Sequence, residues 1–428
     1  MSGSSERLQF WKCARCGTQN PQRSYLRNCV GCGALAHVRE RATPRVDWAQ
    51  LFAPVAKVPG WVISFKTTIT GYLGDVVTWC VGQVGRVRSG CQGPLYWVFV
   101  CYLIFMATVM LLAWTLGDRW YPATLLLYSP RVLWLIPLLI LMGITWFSSR
   151  RALLVVQTAV LLGIGLSWGG FQVPVERSLF ASSFNPLAKI RVLSFNGHYG
   201  EDLKVDQFVR FLESERIDVV CLQEFHRSLV EKDTRLKNYF AKWHWDGAGY
   251  IVSRLPIVLD RLATPDRQLG YLPGKGVLGW LRLADGQGHE FEVMNLYLPS
   301  LRSWFGHFLV LDRGRMNAYE TERKLKVANL VKIMSGIDRP LLVAGDFNTA
   351  GDSPLFRPFL NRFRESFETS GWGIGSTFPS SMPWIGIDHI LVDRCWRVNM
   401  CKVGADLGSD HRPMVAELDL LQLRPTVR

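Results

Sequence analysis

Several apolar runs in the second half of the chain end in polar side chains, and this recurrence restricts the fold more than any other feature. The clearest run is LLVAGDFN, residues 341–348, which leads into Asp346 and Asn348. In an extended strand these two side chains point to one face and Phe347 points to the other. Burying such a polar pair without partners costs a few kcal/mol. The run therefore predicts either an Asx turn or a functional site.

The same kind of ending recurs between residues 189 and 420. Candidate strands are IRVLSFN, DVVCLQE, GYIVSR, EFEVMNLYLP, PLLVAGDFN, IDHILVD and PMVAELDL, with helices near 202–216 and 318–335. Strands mixed with helices over this length predict a layered α/β domain. The polar residues at or just beyond the strand ends are Asn196, Glu224, Tyr297, Asp346, Asn348, Asp388, His389, Asp410 and His411. Residue types that bind Mg²⁺ or transfer protons, gathered at one sheet edge, predict a catalytic site.

The ordered series LSFN, LQE, LYLP, GDFN, IDHIL and SDHRP resembles the endonuclease/exonuclease/phosphatase superfamily. That superfamily includes exonuclease III, apurinic endonucleases, deoxyribonucleases, sphingomyelinases and inositol-polyphosphate 5-phosphatases. The resemblance covers roughly residues 189–420. It implies a four-layered αββα sandwich that hydrolyses a phosphoester with a divalent metal.

Metal binding and water activation are the first roles to assign under this resemblance. Glu224, Asn196 and Asp410 supply the hard oxygen ligands that Mg²⁺ or Mn²⁺ prefers. Asp346 is expected to activate or position the attacking water, and Asn348 to hold that water or a phosphoryl oxygen. The metal neutralises charge on the phosphoryl group and the leaving oxygen.

Charge stabilisation and substrate contact complete the predicted site. His411 is expected to donate hydrogen bonds to the phosphoryl oxygens, and Asp388 to fix its tautomer and orientation. Tyr297, in LYLP, resembles the nuclease branch, where this tyrosine contacts the phosphate. The basic residues expected to contact a phosphate backbone are Arg302, Arg313 and Arg315.

The substrate is left open by the sequence. Tyr297 favours a phosphodiesterase or endonuclease-like enzyme that acts on nucleic acid, and hydrolysis of a phospholipid headgroup or an inositol phosphate is the alternative. The aromatic residues of the segment after LYLP would enter lipid, stack on bases or join the core: Trp304, Phe305 and Phe308. We expect His389 to face the interior and Asp352 to be a solvated loop residue. A rival class is a partner-binding protein that carries an inactive hydrolase fold.

The apolar stretch Leu95–Leu116 has 22 residues and no charge, which is long enough to span a bilayer core. Further apolar runs at about 125–147 and 152–171 complete a predicted transmembrane region at 95–171. Buried helices of a soluble protein are the alternative. Before this region, residues 60–85 predict an amphipathic helix, lying on the membrane or packed in a soluble core.

The basic residues are distributed unevenly and predict an orientation. Residues 1–188 hold 17 Lys and Arg against 6 Asp and Glu, whereas residues 189–428 hold 32 against 29. Arg86 and Arg88 precede the first run, and Arg150 and Arg151 separate the second from the third. Because Lys and Arg concentrate on the cytoplasmic side, the N-terminus is predicted to be cytoplasmic. Three crossings then place the catalytic domain outside the cytoplasm, in an integral protein of the plasma (inner) membrane.

Residues 8–36 contain two CxxC pairs, Cys13 with Cys16 and Cys29 with Cys32, separated by twelve residues. This spacing predicts one tetrahedral Zn²⁺ in a ribbon or finger, with unrelated or disulfide-linked cysteines as the alternative. With Trp11 and Asn20, this segment resembles the RanBP2-type zinc finger, whose members bind single-stranded RNA or ubiquitin. The spacing between its two cysteine pairs is two residues longer than is usual in that family. An RNA or protein partner is therefore expected.

Overall fold

The structure is a computed structural model that describes residues 10–12, 19–21, 93–148, 150–174, 186–225, 227–247, 250–262, 276–300 and 312–421. The chain divides into two compact units, residues 1–54 and 55–428. In the first unit strands β1 (Phe10–Lys12) and β2 (Gln19–Pro21) pair antiparallel, with Trp11 opposite Asn20. The four cysteines of the predicted zinc site and the predicted helix at 60–85 lie outside the described residues, so both stay predictions.

Four α-helices and a 3₁₀ turn make up the apolar segment: α1 (Pro94–Leu116), α2 (Tyr121–Tyr128), the 3₁₀ turn (Arg131–Leu135), α3 (Ile136–Phe147) and α4 (Arg151–Ser167). Among the described residues only α1 is long and apolar enough to cross a membrane by itself. A second such segment exists only if α2 and residues 131–147, which are bent by 91° relative to each other, count as one. The three predicted spans are thus reduced to one clear candidate.

The predicted second span, 125–147, is broken because Pro130 follows Ser129. Proline disfavours a helical conformation in the residue before it, and Ser129 is extended with ψ of 151°. In the predicted third span, 152–171, the helix ends at Ser167, and a short strand begins at Phe171. The helices nevertheless pack together, because α1, α3 and α4 share a buried apolar cluster that includes Phe99, Met106, Leu138 and Leu153.

The remaining strands are β3 (Phe171–Gln172), β4 (Ala188–Asn196), β5 (Val219–Gln223), β6 (His244–Trp245), β7 (Ile251–Ser253), β8 (Ile257–Asp260), β9 (Val277–Ala284), β10 (Glu290–Tyr297), β11 (Leu341–Asp346), β12 (Arg364–Glu365), β13 (Gly373–Ile374), β14 (Asp388–Val392), β15 (Trp396–Val403) and β16 (Met414–Leu420). The remaining helices are α5 (Val205–Glu215), α6 (Arg227–Lys232), α7 (Thr234–Tyr239), α8 (Arg313–Ser335), α9 (Arg357–Leu360) and α10 (Ser366–Ser370), with 3₁₀ turns at His198–Gly200 and Phe240–Lys242.

These strands form two six-stranded mixed sheets, in the orders β15-β16-β4-β5-β7-β6 and β12-β14-β11-β10-β9-β8. Each sheet has one parallel pair at its centre, β4 with β5 and β10 with β11, and its other pairs are antiparallel. The short strands β3 and β13 pair separately, and this pairing joins the chain just after α4 to the second half of the α/β domain. The predicted α/β class is confirmed.

The two sheets face each other across a core that includes Val192, Cys221, Val293 and Ala344. Helices cover the outer faces. On one side Phe208 and Leu212 of α5 pack on the first sheet, and on the other side α8 packs on the second through Val327 and Leu330. Each sheet packs one face against the other sheet and its outer face against helices, so the layers follow the order helix, sheet, sheet, helix.

The strand directions bring the predicted site residues to one edge. β4 and β5 run parallel with Asn196 opposite Gln223, the residue before Glu224. β10 and β11 also run parallel, with Tyr297 opposite Asp346. β14 runs antiparallel to β11 and begins where β11 ends, so Asp388 pairs with Asp346. Carboxyl ends of parallel strands and the start of an antiparallel neighbour therefore meet.

Candidate active site

The GDFN segment forms an Asx turn and contributes to a site at the same time. β11 ends at Asp346, and the Asn348 amide donates to Asp346 Oδ1 at 2.8 Å. Phe347 points the other way, into the outer core, where its ring contacts Phe356 and Phe359. Both interpretations of the sequence are thus realised, because the turn holds a buried carboxylate at the sheet edge.

Glycine precedes this carboxylate because β11 and β10 approach closely there. Gly345 has φ of +152°, and a Cβ at this position would lie 2.1 Å from the carbonyl oxygen of Leu296 in β10. Only glycine fits such a contact without moving the backbone. The close approach keeps Asp346 beside Tyr297 in the parallel ladder.

Two asparagines hold the Asp346 carboxylate. Asn196 Nδ2 donates to Asp346 Oδ2 at 3.1 Å, and Asn348 Nδ2 donates to the same oxygen at 2.9 Å. Asn348 Nδ2 also donates to the carbonyl of Leu298 at 3.0 Å, which accounts for both of its amide hydrogens. Asn348 therefore holds Asp346 in place, and its predicted contact with water or a phosphoryl oxygen stays a prediction.

His411 and Asp388 form a buried dyad, in the relation that the sequence predicted. His411 Nδ1 lies 2.8 Å from Asp388 Oδ2, and His411 Nε2 lies 3.9 Å from Asp346 Oδ2. Burial alone would lower the His411 pKa, but the charges of Asp388 and Asp346 outweigh it and raise the pKa to about 10. Burial, opposed by His411, raises the pKa of Asp346 to about 7. The two carboxylates therefore favour the protonated form of His411.

Glu224 and Tyr297 face each other across the two sheets. The Tyr297 hydroxyl donates a short hydrogen bond to Glu224 Oε1. Burial, followed by the Glu224 charge, raises the pKa of Tyr297 above its usual value, so the hydroxyl stays protonated. Glu224 is partly exposed and has φ of +45°, and its carbonyl accepts from the Tyr199 amide at 2.6 Å. Tyr297 is therefore hydrogen-bonded to the predicted metal ligand, and its predicted contact with phosphate stays a prediction.

The structure describes only some of the remaining residues predicted for the site. Asp410 is half-buried, and its carbonyl accepts from the Ser380 amide at 2.7 Å. Arg313 and Arg315 are exposed at the start of α8, and Arg315 pairs with Asp312 at 3.3 Å. The predicted contacts of Arg302, Trp304, Phe305 and Phe308 lie outside the described residues.

Two further predictions concern residues that were not assigned to the site. His389 does face the interior: its Nε2 lies 2.9 Å from the Thr349 carbonyl oxygen, and its ring contacts Phe356. Asp352 lies in a turn with its side chain 36% exposed, as expected of a solvated loop residue, and it also pairs with Arg131 of the apolar segment at 2.7 Å. That pair joins residues 221 positions apart, which no local pattern can indicate.

The donor atoms present fit a divalent cation. Within the part of the chain that the structure describes, Asp346, Asp388 and His411 place ligand atoms within 4.8 Å of one another. Asp388 Oδ1 is buried and has no hydrogen-bond partner, so a cation would satisfy it. Glu224 adds a carboxylate whose position Tyr297 fixes. The predicted set of Glu224, Asn196 and Asp410 stays a prediction.

Sequence reasoning missed several residues that support the site. Ser409 accepts from the His411 amide at 3.1 Å and donates to the Asn196 carbonyl at 2.7 Å, which ties the dyad to β4. Below the site, Gln223 Nε2 donates to Asn295 Oδ1 at 2.7 Å and so links the two sheets. The SDH and LQE motifs contain two of these residues, but only the fold shows their partners.

Comparison with known proteins identifies the family. The sequence model of the endonuclease/exonuclease/phosphatase family matches residues 193–411, slightly more than half of the chain. The chain belongs to this family. The match starts within β4 and ends at His411, so it contains the Asp346, Asp388 and His411 cluster. The fold of this protein is therefore that of a hydrolase family whose members are phosphoesterases and nucleases.

Solved structures give distant similarities over the same half of the chain. A family protein from Bacteroides thetaiotaomicron is 19% identical, with a TM-score of 0.44, covering 56% of this chain and 100% of that one. A mannosyl-6-phosphatase from the same organism is 19% identical, with a TM-score of 0.42 and coverage of 54% and 99%. A 3′ phosphatase from Neisseria, bound to a product DNA hairpin, is 17% identical, with a TM-score of 0.37 and coverage of 54% and 99%. No protein with a curated description matched the chain. Similarities this distant do not identify a substrate.

Proposed function

We propose that this protein is a membrane-anchored, divalent-metal-dependent phosphoester hydrolase. The observation that carries the proposal is the buried dyad of His411 and Asp388, with Asp346 3.9 Å from His411 Nε2. A positive imidazolium beside a carboxylate suits a reaction in which a water attacks an anionic phosphorus centre. Membership of the family supports the same reaction class.

The chain's own residues divide the work as follows. His411 donates through Nε2 to phosphoryl oxygens, and Asp388 keeps Nδ1 occupied so that Nε2 faces the substrate. Asp346, with a pKa of about 7, accepts a proton from the attacking water or orients that water. Asn196 and Asn348 hold Asp346 in place.

Mg²⁺ or Mn²⁺ is the cofactor that these donors suit. Glu224, Asp346 and Asp388 offer hard carboxylate oxygens, which Mg²⁺ prefers to nitrogen or sulfur ligands. When bound, the metal would offset negative charge on the phosphoryl group and the leaving oxygen.

Anchoring in a membrane is supported by the surface of α1. Only 22% of its most apolar 18-residue window is buried, and Trp97, Ile104, Leu111 and Trp114 are among its exposed side chains. A helix of 23 residues reaches about 34 Å, enough for a bilayer core. A soluble core helix would be covered, so lipid is the environment that fits this surface.

The ends of the helices support an active site outside the cytoplasm. A Cβ at Gly93, before α1, would lie 2.7 Å from Nη2 of Arg150, the N-cap residue of α4, so the basic start of α4 lies beside the start of α1. At the opposite end Asp118 and Arg131 contact the catalytic domain. If the Arg150 end is cytoplasmic, as basic residues favour, the catalytic domain is extracytoplasmic.

Fusion reporters test this topology. A reporter after Arg428 should be active only in the outer compartment, and one before Trp11 only in the cytoplasm. Protease added to right-side-out vesicles should digest the catalytic domain. Protection of that domain would overturn the orientation and leave the hydrolase proposal intact.

Two substrate classes follow from different observations. Exposed Arg313 and Arg315 favour nucleic acid. A phospholipid headgroup is favoured by Phe378, whose ring contacts His411 at 4.9 Å and which packs on the cluster that contains Ala113 of α1 and Leu127 of α2. The histidine side of the site therefore lies next to the apolar helices.

The test is hydrolysis by the full-length protein in detergent, with p-nitrophenyl phosphate and bis(p-nitrophenyl) phosphate as chromogenic probes. We expect no activity in EDTA and recovery with Mg²⁺ or Mn²⁺. DNA, RNA, sphingomyelin vesicles and inositol phosphates, assayed in parallel, distinguish the substrate classes. Full activity in chelator would refute the metal requirement, and inactivity on every substrate with metal would refute the hydrolase proposal.

A further inference from the structure

A buried ion pair connects the apolar segment to the active-site turn. Asp118 lies just after α1, and Arg323 lies in α8; each side chain is 3% exposed. Arg323 Nη1 donates to Asp118 Oδ1 at 2.9 Å. The same carboxylate accepts from the Tyr128 hydroxyl at 3.2 Å and, through a short bond, from Ser353. Asp118 is therefore fully engaged, and its position is fixed from three sides.

The other end of the guanidinium holds the turn itself. Arg323 Nη2 donates to the carbonyl of Asn348 and to Thr349 Oγ1, both at 2.7 Å. Asn348 is left-handed, with φ of +46°. Residues other than glycine adopt this conformation uncommonly, and local hydrogen bonds then hold it in place. The charged bond to its carbonyl is one such constraint.

The turn passes this constraint to the reacting carboxylate. Asn348 donates to Asp346 through its backbone amide at 2.8 Å and through its side chain at 2.9 Å. Asp118, Arg323, Asn348 and Asp346 thus form one continuous set of hydrogen bonds. It begins in the segment before the family match and ends at the site.

We propose that Asp118 is a positioning residue for Asp346, acting through Arg323 and Asn348, so that the apolar segment is a working part of the catalytic unit as well as an anchor. The inference rests on the proposed hydrolase function. Removing the Asp118 charge leaves Arg323 buried without its counter-ion, and the guanidinium then moves or recruits water. Either response releases the Asn348 carbonyl.

A second ion pair between the same two regions provides the matched control. Arg131 and Asp352 lie 2.7 Å apart, and their side chains are 19% and 36% exposed. None of the hydrogen bonds of this pair reaches Asn348 or Thr349. If the apolar segment only stabilised the domain, loss of the Asp118–Arg323 pair and loss of the Arg131–Asp352 pair would have similar effects on catalysis.

The experiment compares Asp118→Asn with Asp352→Asn in the full-length protein in detergent, using p-nitrophenyl phosphate and Mg²⁺. We expect Asp118→Asn to lower kcat by about 10- to 100-fold, because small misplacement of a catalytic group has effects of that order. KM should stay within about twofold, since uniform binding is unaffected. Asp352→Asn should retain kcat within about twofold. In an Arg323→Gln background, Asp118→Asn should have no further effect on kcat.

Hydrogen exchange of the peptide that contains residues 346–350 provides a readout independent of activity. Its amides should exchange faster in Asp118→Asn than in the wild type, and at the wild-type rate in Asp352→Asn. An inactive wild type would therefore refute the hydrolase proposal while exchange still tests the coupling. If Asp118→Asn does not fold, Asp118→Glu takes its place in the experiment. This variant keeps the charge but displaces it by one methylene. Wild-type kcat and exchange in whichever of these variants folds would overturn the inference, as would equal effects of Asp118→Asn and Asp352→Asn.

Discussion

Replacing Gly345 by alanine should disrupt the site more than its size suggests. The new Cβ would lie 2.1 Å from the Leu296 carbonyl oxygen and 2.8 Å from two further backbone atoms of Leu296. Backbone cannot rotate away as a side chain would, so β11 must move from β10 by about 1 Å to reach ordinary contact. That movement weakens the parallel ladder that keeps Asp346 beside Tyr297.

The expected magnitude follows from two costs. A φ of +152° is unfavourable for alanine by about 1–3 kcal/mol, and each weakened ladder bond costs about 1 kcal/mol. If two ladder bonds are weakened, these costs together reach about 3–5 kcal/mol, a large part of the 5–15 kcal/mol that stabilises an ordinary domain. A loss of about 3 kcal/mol corresponds to a decrease in Tm of about 6–12 °C for a domain of this size.

Thermal unfolding of the full-length protein in detergent measures this effect, and hydrolysis in Mg²⁺ measures the displacement of Asp346. Gly351→Ala is the matched control, because its Cβ would meet its nearest neighbour, His389 Cε1, at 3.5 Å, an ordinary contact. We expect that control to stay within about 1 kcal/mol of wild type. Equal Tm and equal kcat for Gly345→Ala and wild type would refute the close-approach explanation of the GDFN glycine.

Three further predictions address the dyad, the metal ligand and the zinc site. Asp388→Asn should lower kcat by at least about 10²-fold, because the amide no longer holds the required tautomer of His411, and steady-state kinetics with unchanged circular dichroism would establish it. Tyr297→Phe should weaken Mn²⁺ binding by about 10- to 100-fold, measured by titration, because Glu224 loses the partner that orients it; unchanged affinity would exclude Glu224 as an oriented ligand. Serine at both cysteines of the first CxxC pair should release one zinc per chain in metal analysis and leave hydrolysis unchanged, whereas retained zinc would refute that site.

Much of the candidate site was predictable because its residues belong to short motifs at strand ends. Asn196 and Asp346 end buried strands, Asp388 begins one and His411 lies in the loop before β16, and a parallel pair in each sheet brings these positions to one edge. Local alternation and the strand boundaries were sufficient for this inference.

The elements that escaped prediction have weak local signals. β9 contains Gly279, where a Cβ would lie 2.7 Å from Asp246 and Ile251, and glycine inside a strand reduces the strand signal. β15 alternates buried and partly buried residues irregularly at the edge of its sheet. Helix α8 begins at Arg313, before the predicted 318, because Asp312 accepts from the Arg315 amide and caps it.

Contacts between the apolar segment and the catalytic domain could not be predicted at all. Asp118 and Arg323 are 205 positions apart, and Arg131 and Asp352 are 221 apart. The sequence suggested an anchor separate from the catalytic domain. In the structure the two share a cluster that includes Ala113, Leu127, Met316 and Ile387, and a fragment that begins near residue 186 would expose part of it.

The most direct test of the account is kcat for His411→Ala and Asp346→Asn in the full-length protein at saturating Mg²⁺, with folding checked by circular dichroism. In the proposed mechanism, His411 supplies the positive charge at the phosphoryl oxygens, and Asp346 activates or orients the water. Each folded variant should therefore lose at least about 10²-fold in kcat. Wild-type kcat in either folded variant would contradict the assignment of this cluster as the catalytic centre.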